Sequence, residues 1–382
     1  MAAVLKLKLK MSDTVFILGA GASKEAGAPL MGEFLDTAHR LWRSNSVGEL
    51  GDQFPIVFDA ISLLQAVHSK SQLDINNIES FFSTCEMAKT LGTFPKKPPD
   101  EIDDLLRALK LVIVTTLERM VRFPAASRAR VKAANRAVDA PEPYGQFVDL
   151  LKELRQKSNP SHSTGVLTFN YDIALDYALF EKQIPVDYAV ENNGHPQPQS
   201  IPLLKLHGSL NWTETNPTKV TERGVVVCPM DKCLTFDAPP PETPGAPCTL
   251  PIRQRLYEMA QRDGCVTGEP VIVPPTWNKA DSHRSLSRVW SRAALELSQA
   301  ENIIVIGYSM PETDAFFRYL YALGTVGPVL LKRFWVFDPD TTGVVKERFE
   351  NLLGHGAKPR FQYFPRTFDA AIGILKSKLA RG

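Results

Sequence analysis

"FILGAGASKEAGAP", residues 16 to 29, decides how the rest of the chain is read. Three apolar residues run into Gly19-Ala20-Gly21, and Ser23 and a third glycine, Gly27, follow. A buried strand that ends in a tight turn and opens a helix has this pattern. Gly19 permits the turn, and Gly21 allows a close backbone approach to a ligand. The helix that follows presents N–H groups and the positive end of its dipole, which suit a pyrophosphate. Two phosphate-binding patterns fit imperfectly. G-x-G-x-x-G has its first two glycines but Lys24 in the third place, and Ser23 before Lys24 is the wrong order for a Walker A loop, which excludes an ATPase loop. Many strand–helix turns use glycine for steric reasons alone, so both readings stand at this point.

Outward from this stretch, the strand signals are TVFIL (14–18), GVLTFN (165–170), PLLKLHG (202–208), PVIVPPT (270–276), NIIVIGYS (302–309) and RFWVFDP (333–339). Runs that are apolar on both faces suit a parallel sheet covered by helices. Helical segments alternate with them: EFLDTAHRLWR in a helix starting near Lys24, then YDIALDYALFEK, SLSRVWSRAALELSQA and TDAFFRYLYAL. The expected fold is α/β, a doubly wound, mostly parallel Rossmann-like sheet built from residues 13–50 and 160–382. Residues 51–159 read as a helical insertion subdomain, in which ESFFSTCEMAKTLG and IDDLLRALKLVIVTTLERMV are separated by FPKKPPDE at 94–101. The Pro-rich stretch 238–251 is expected to be an irregular loop, and the C-terminus a helix, a strand (RFQYFP) and a final helix. The N-terminal MAAVLKLKLKM alternates Leu and Lys, which suits a short strand with one charged face and not a signal peptide.

Composition narrows the function classes. Of the 382 residues, 44% are apolar and 23% charged, and the net charge is +2, so nothing points to nucleic acid as the main ligand. A run with Arg119, Arg122, Arg128, Arg130, Lys132 and Arg136 carries no acid, yet such runs are more often solvated faces or protein-docking surfaces than phosphate contacts, so direct nucleic-acid binding stays open. No apolar run approaches the ~20 residues that span a bilayer. Five cysteines at irregular spacing do not form a disulfide framework and suit a cytoplasmic protein.

Ligands of open α/β sheets bind beyond the carboxyl ends of the strands. There TFNYD places Asn170 and Asp172, KLHGSLNW places His207 and Gly208, GYSMPETD places Gly307, Ser309 and Asp314, and VFDPD places Asp338. Each has a plain alternative. Asn170 and Asp172 can cap a helix, His207 can be a satisfied core histidine, and Asp338 can belong to a turn.

In this order, GAGASKEAGAP, TFNYD, KLHGSLNW and GYSMPETD resemble the sirtuin-like fold, and in particular the NAD-consuming effectors of prokaryotic antiphage defence; DINNIESFF and PVIVPPTW are similar to the same branch. The resemblance runs roughly from residue 13 to 340. It implies NAD as substrate, with Gly19, Ala20, Gly21 and Ser23 at the pyrophosphate. Asn170 and Asp172 would lie near the nicotinamide ribose and form the catalytic set with His207, the catalytic histidine, Asp172 stabilising positive charge that develops on the sugar. Gly307 and Ser309 would contact the adenosine side, and Asp338 its ribose. The implied activity is NAD+ glycohydrolysis to nicotinamide and ADP-ribose in antiphage defence. A HerA-type hexameric DNA translocase is the implied partner, ahead of a short Argonaute, and homo-oligomers are expected.

The rival activity is NAD-dependent protein deacylation, and a non-catalytic NAD or ADP-ribose sensor is a third reading. Sirtuin deacylases carry paired CxxC zinc motifs after the catalytic histidine. Here Cys228 and Cys233 have four residues between them and Cys248 and Cys265 stand alone, so no metal is expected. The Phe–Arg pair that deacylases carry after the glycine loop is replaced by APLMGEF. Both departures favour water as the acceptor.

Overall fold

The computed structural model describes residues 11–66, 74–127, 137–157, 163–190, 199–222, 224–233, 243–273, 282–311 and 314–379. The first ten residues, Arg128, Arg130, Lys132 and Arg136 of the basic run, and the PPT of PVIVPPT lie outside them. In chain order the strands are β1 (Thr14–Leu18), β2 (Phe123–Pro124), β3 (Thr164–Thr168), β4 (Val186–Asp187), β5 (Ile201–Lys205) and β6 (Gly208–Thr215). They continue with β7 (Val225–Val227), β8 (Pro247–Cys248), β9 (Val266–Ile272), β10 (Asn302–Ile306), β11 (Arg333–Phe337) and β12 (Phe361–Phe364).

Seven strands form one sheet in the order β12-β11-β10-β1-β3-β5-β4, and all of its pairings are parallel. β1 is central, with Ile17 level with Val305 of β10 and Leu167 of β3. Successive side chains of a strand face opposite sides, and here both sides are apolar. Phe16 and Leu18 belong to one core with the helices Gln53–Ala66, Ile78–Leu91, Pro99–Met120, Tyr144–Lys157 and Phe368–Leu379. Val15 and Ile17 belong to the other, under the helices Ser282–Gln299, Ala315–Gly324 and Val344–Leu352. The doubly wound, parallel architecture expected from the apolar runs is therefore present.

Within the helical stretch, Asn77 caps the helix Ile78–Leu91 through its side chain, and Gly92 ends it at φ 64°. The helix Pro99–Met120 opens with proline in its first turn.

Three expectations are corrected. The helix after the glycine turn does not run on from Lys24. A four-residue helix, Ala20–Ser23, is followed by a turn, and the longer helix is Phe34–Arg43. Gly27 (φ 100°) and Pro29 break the path, and a Cβ on Gly27 would lie 2.4 Å from the Met120 carbonyl oxygen. Nor does PVIV join the parallel sheet. It ends β9, which pairs antiparallel with β6 in a separate sheet of order β7-β6-β9. The strand begins upstream, at Val266, and its first half alternates buried and exposed residues, as a strand with one wet face does. The Pro-rich stretch also contributes a short strand, since Cys248 of β8 pairs with Phe123 of β2.

Candidate functional site

The carboxyl ends of β1, β3, β5, β10 and β11 lie along one edge of the parallel sheet and surround a cavity of about 510 Å³. That volume is within the ~300–1,000 Å³ typical of small-molecule sites. Ala20, Gly21 and Ser23 line it from the first turn, Asn170 and Asp172 from the second, and His207 from the third. Gly307 and Ser309 follow β10, and Asp338 follows β11. Gly19 stands just behind, in contact with Tyr308 and Gly307.

The glycines are required where two backbones meet. The Gly19 N–H donates to the Ile306 carbonyl oxygen over 3.1 Å, and the Gly21 N–H to that of Gly307 over 2.8 Å. A Cβ on Gly19 would lie 2.5 Å from Tyr308 Cα, and one on Gly307 (φ 62°) 2.3 Å from the Ala22 nitrogen. The close approach that Gly21 permits is therefore to Gly307.

Beneath the floor, a polar network joins three segments. Asn170 Nδ2 donates to the Gly19 carbonyl oxygen (2.8 Å) and to Ser23 Oγ (2.9 Å). Ser23 Oγ donates to Asp172 Oδ2 over 2.6 Å and lies 2.8 Å from the Tyr144 hydroxyl. Asp172 Oδ1 accepts the Ala174 N–H, so Asp172 also acts in the helix-start role that its position allowed. Only 5% of Asp172 is exposed, and burial raises its pKa against the lowering effects of the Lys205 charge and the Ser23 hydrogen bond. Lys205, 1% exposed, donates to the Asp172 carbonyl oxygen (2.5 Å) and pairs with Asp176 (2.9 Å), which also accepts from the Tyr188 hydroxyl. A buried charge needs such a partner.

His207 follows β5 and packs against Phe169, with ring centroids 5.1 Å apart, and Tyr171, at 6.1 Å. Its Nε2 lies 3.9 Å from Asp314 Oδ1. Asp314 Oδ2 accepts from the Tyr308 hydroxyl over 2.7 Å, and the Tyr308 ring stacks on Phe169. A histidine with a carboxylate behind it and a cavity before it is placed to exchange protons.

At the far end, Asp338 Oδ1 accepts the Asp340 N–H over 3.0 Å in a turn, and burial raises the Asp338 pKa. Beside it Arg348 donates to the Ser309 carbonyl oxygen (3.2 Å), and Arg348, Arg366 and Lys24 bring positive charge to the cavity wall. Among the described residues no group of three His, Cys, Asp or Glu is placed to hold a metal ion. The Cys233 thiol donates to the Cys228 carbonyl oxygen.

Sequence reasoning passed over Tyr144, Lys205, Asp176 and Glu79. Lys205 had a legible signal, a lysine inside an apolar strand. Tyr144 had none, because nothing local distinguishes it from a core tyrosine.

Residues 164–225 match the family model of the SIR2-like domain. No match was found among curated proteins. Three solved structures with which the chain aligns are the following. Sir2Tm bound to a propionylated peptide is 13% identical with a TM-score of 0.35, over 96% of this chain and 92% of that one. A Sir2 with a p53 peptide and NAD+ is 12% identical with a TM-score of 0.38, over 97% and 94%. A mutant Sir2 homologue with ADP-ribose is 13% identical with a TM-score of 0.38, over 96% and 90%. The chain is thus similar to SIR2-like domains over 164–225, the segment that carries Asn170, Asp172 and His207.

Proposed function

We propose that the chain hydrolyses NAD+ to nicotinamide and ADP-ribose. One observation carries this reading: Asn170, His207 and the glycine turn, far apart in sequence, line one cavity at the carboxyl ends of a parallel sheet. A pure binding module has no need of a histidine backed by a carboxylate beside that turn.

The chemistry fits these groups. The bond between ribose C1′ and the nicotinamide nitrogen breaks with its electron pair going to nitrogen, so a cationic pyridinium leaves as a neutral base and needs no strong acid. The demand falls on the oxocarbenium-like sugar and on the water that adds to C1′. His207 takes the proton that this water, or a ribose hydroxyl, gives up. Asn170 orients the ribose or the water without adding charge. The balance is NAD+ plus water giving nicotinamide, ADP-ribose and a proton. At the other end Asp338 accepts from the adenosine ribose hydroxyls, and the first turn with Lys24, Arg348 and Arg366 faces the pyrophosphate.

The proposal includes a role as an NAD-depleting effector in antiphage defence, as a homo-oligomer working with a HerA-type hexameric translocase. It rests on the motif order. The test is incubation of the full chain with NAD+, alone, with that translocase, and with an acetylated peptide, followed by chromatography that separates ADP-ribose, its cyclic form and O-acetyl-ADP-ribose. ADP-ribose without peptide supports the hydrolase. Product formed only with the peptide transfers the reading to a deacylase, and cyclic product transfers it to a cyclase.

A further inference from the structure

Glu79 is the second residue of the helix Ile78–Leu91 and comes from the helical layer, not from the sheet. Its N–H donates to Asn77 Oδ1 over 2.9 Å, so the cap holds its backbone in place. It lines the main cavity together with residues of the strand ends. It also borders a small apolar pouch that Phe34, Phe82 and Tyr171 help to wall. A half-buried carboxylate between an apolar pouch and a polar cavity exerts a field that solvent screens poorly.

That field reaches the reacting end of the cavity. Burial raises the pKa of both the Tyr171 and Tyr308 phenols, and the charges of Glu79 and Asp314 raise them further. Tyr171 packs beside the His207 ring, and the Tyr308 hydroxyl bonds Asp314. Glu79 shares the small pouch with Tyr171, whose ring lies beside that of His207.

Among the described residues, four other carboxylates line the cavity. Asp172 and Asp314 are 5% and 2% exposed, and each accepts a side-chain hydroxyl from within the protein. Asp338 closes a turn at the far end, and Glu25 accepts the Asp369 N–H at an exposed site.

We propose that Glu79 is a catalytic carboxylate that faces the nicotinamide ribose and stabilises the positive charge on C1′ as the C1′–nitrogen bond breaks. This rests on the NADase reading. No bond to Glu79 forms; the leaving electron pair goes to nicotinamide, and the proton of the incoming water goes to His207. Stabilising charge where it develops is the largest single lever a site of this kind has.

The experiment compares Glu79→Gln, Glu79→Asp and the unaltered full chain by two measurements. The first is turnover of NAD+ with the activating partner present. Glu79→Gln is expected to lower kcat about a hundredfold with KM raised only severalfold, and Glu79→Asp to recover part of the loss. The second is calorimetric affinity for carba-NAD+, which keeps the pyridinium but has no cleavable ribosyl bond, and for ADP-ribose, which lacks the pyridinium. Glu79→Gln is expected to weaken carba-NAD+ severalfold and to leave ADP-ribose unchanged. A glutamine variant with normal kcat in an active enzyme overturns the role of Glu79 and leaves the NADase reading standing. If the chain shows no turnover, an unchanged ratio of the two affinities overturns it independently. If the unaltered chain binds neither nucleotide, the NADase reading falls and the role of Glu79 falls with it.

Discussion

Asn170 Nδ2 donates to the Gly19 carbonyl oxygen over 2.8 Å, tying the end of β3 to the end of β1. The same amide reaches Ser23 Oγ over 2.9 Å, so the residue proposed to orient the ribose also holds the glycine turn in shape. Asn170→Ala is therefore expected to lose stability as well as activity, by about 1–3 kcal/mol for the hydrogen bonds removed. Urea unfolding measures it, and an unchanged midpoint would show that the tie carries no stability.

The proximity of His207 and Asp314 yields a second prediction. Asp314 Oδ1 lies 3.9 Å from His207 Nε2. Asp314→Asn is expected to lower kcat/KM for nicotinamide release by about tenfold or more, because the group beside the proposed proton acceptor changes. An unchanged kcat/KM would separate Asp314 from the work of His207.

The buried Asp172 links stability to pH. Its pKa in the folded chain is raised above the ordinary 3.8, chiefly by burial. Between the two values the folded state holds more proton than the unfolded one, so the carboxyl favours folding below the unfolded pKa and that advantage is lost as pH rises through the folded pKa. Asp172→Asn has no such proton to lose. The difference in unfolding free energy should shift toward the variant as pH rises across this interval, by about 1.4 kcal/mol per pKa unit of elevation. Parallel stability curves for the two proteins would refute the shift.

Gly307 and Gly343 both have positive φ, at 62° and 90°, and differ in their surroundings. An added Cβ at Gly343 meets nothing within 4 Å, whereas at Gly307 it would lie 2.3 Å from the Ala22 nitrogen. Gly343→Ala is expected to cost about 1–2 kcal/mol for the left-handed backbone alone. Gly307→Ala should cost clearly more and lower turnover, because the first turn must move. Thermal unfolding of the two variants decides, and equal costs would remove the backbone contact from the account.

β1, β3, β5, β10 and β11 were legible because their runs are buried on both faces, as a sheet covered on both sides requires. PVIV misled for the same reason in reverse. Its buried end is apolar throughout, while the exposed positions that mark it as antiparallel lie upstream, at Thr267 and Glu269. The helix expected from Lys24 failed because Gly27 packs on the Met120 carbonyl, a contact from nearly a hundred residues away in sequence. Site residues just after strands could be picked out, since parallel topology places those ends together. Tyr144 and Glu79 reach the site by tertiary packing, and local pattern carries no trace of where a helix face will dock.

The most direct measurement is the rate of nicotinamide release from NAD+ by the full chain, alone and with the proposed translocase, beside His207→Ala and Asn170→Ala variants shown to be folded. The account predicts release and stoichiometric ADP-ribose from the unaltered protein, and a loss of about a hundredfold or more in both variants. Undiminished release by a folded His207→Ala protein would contradict it, because the cavity would then be cleaving NAD+ without the residue on which the mechanism depends.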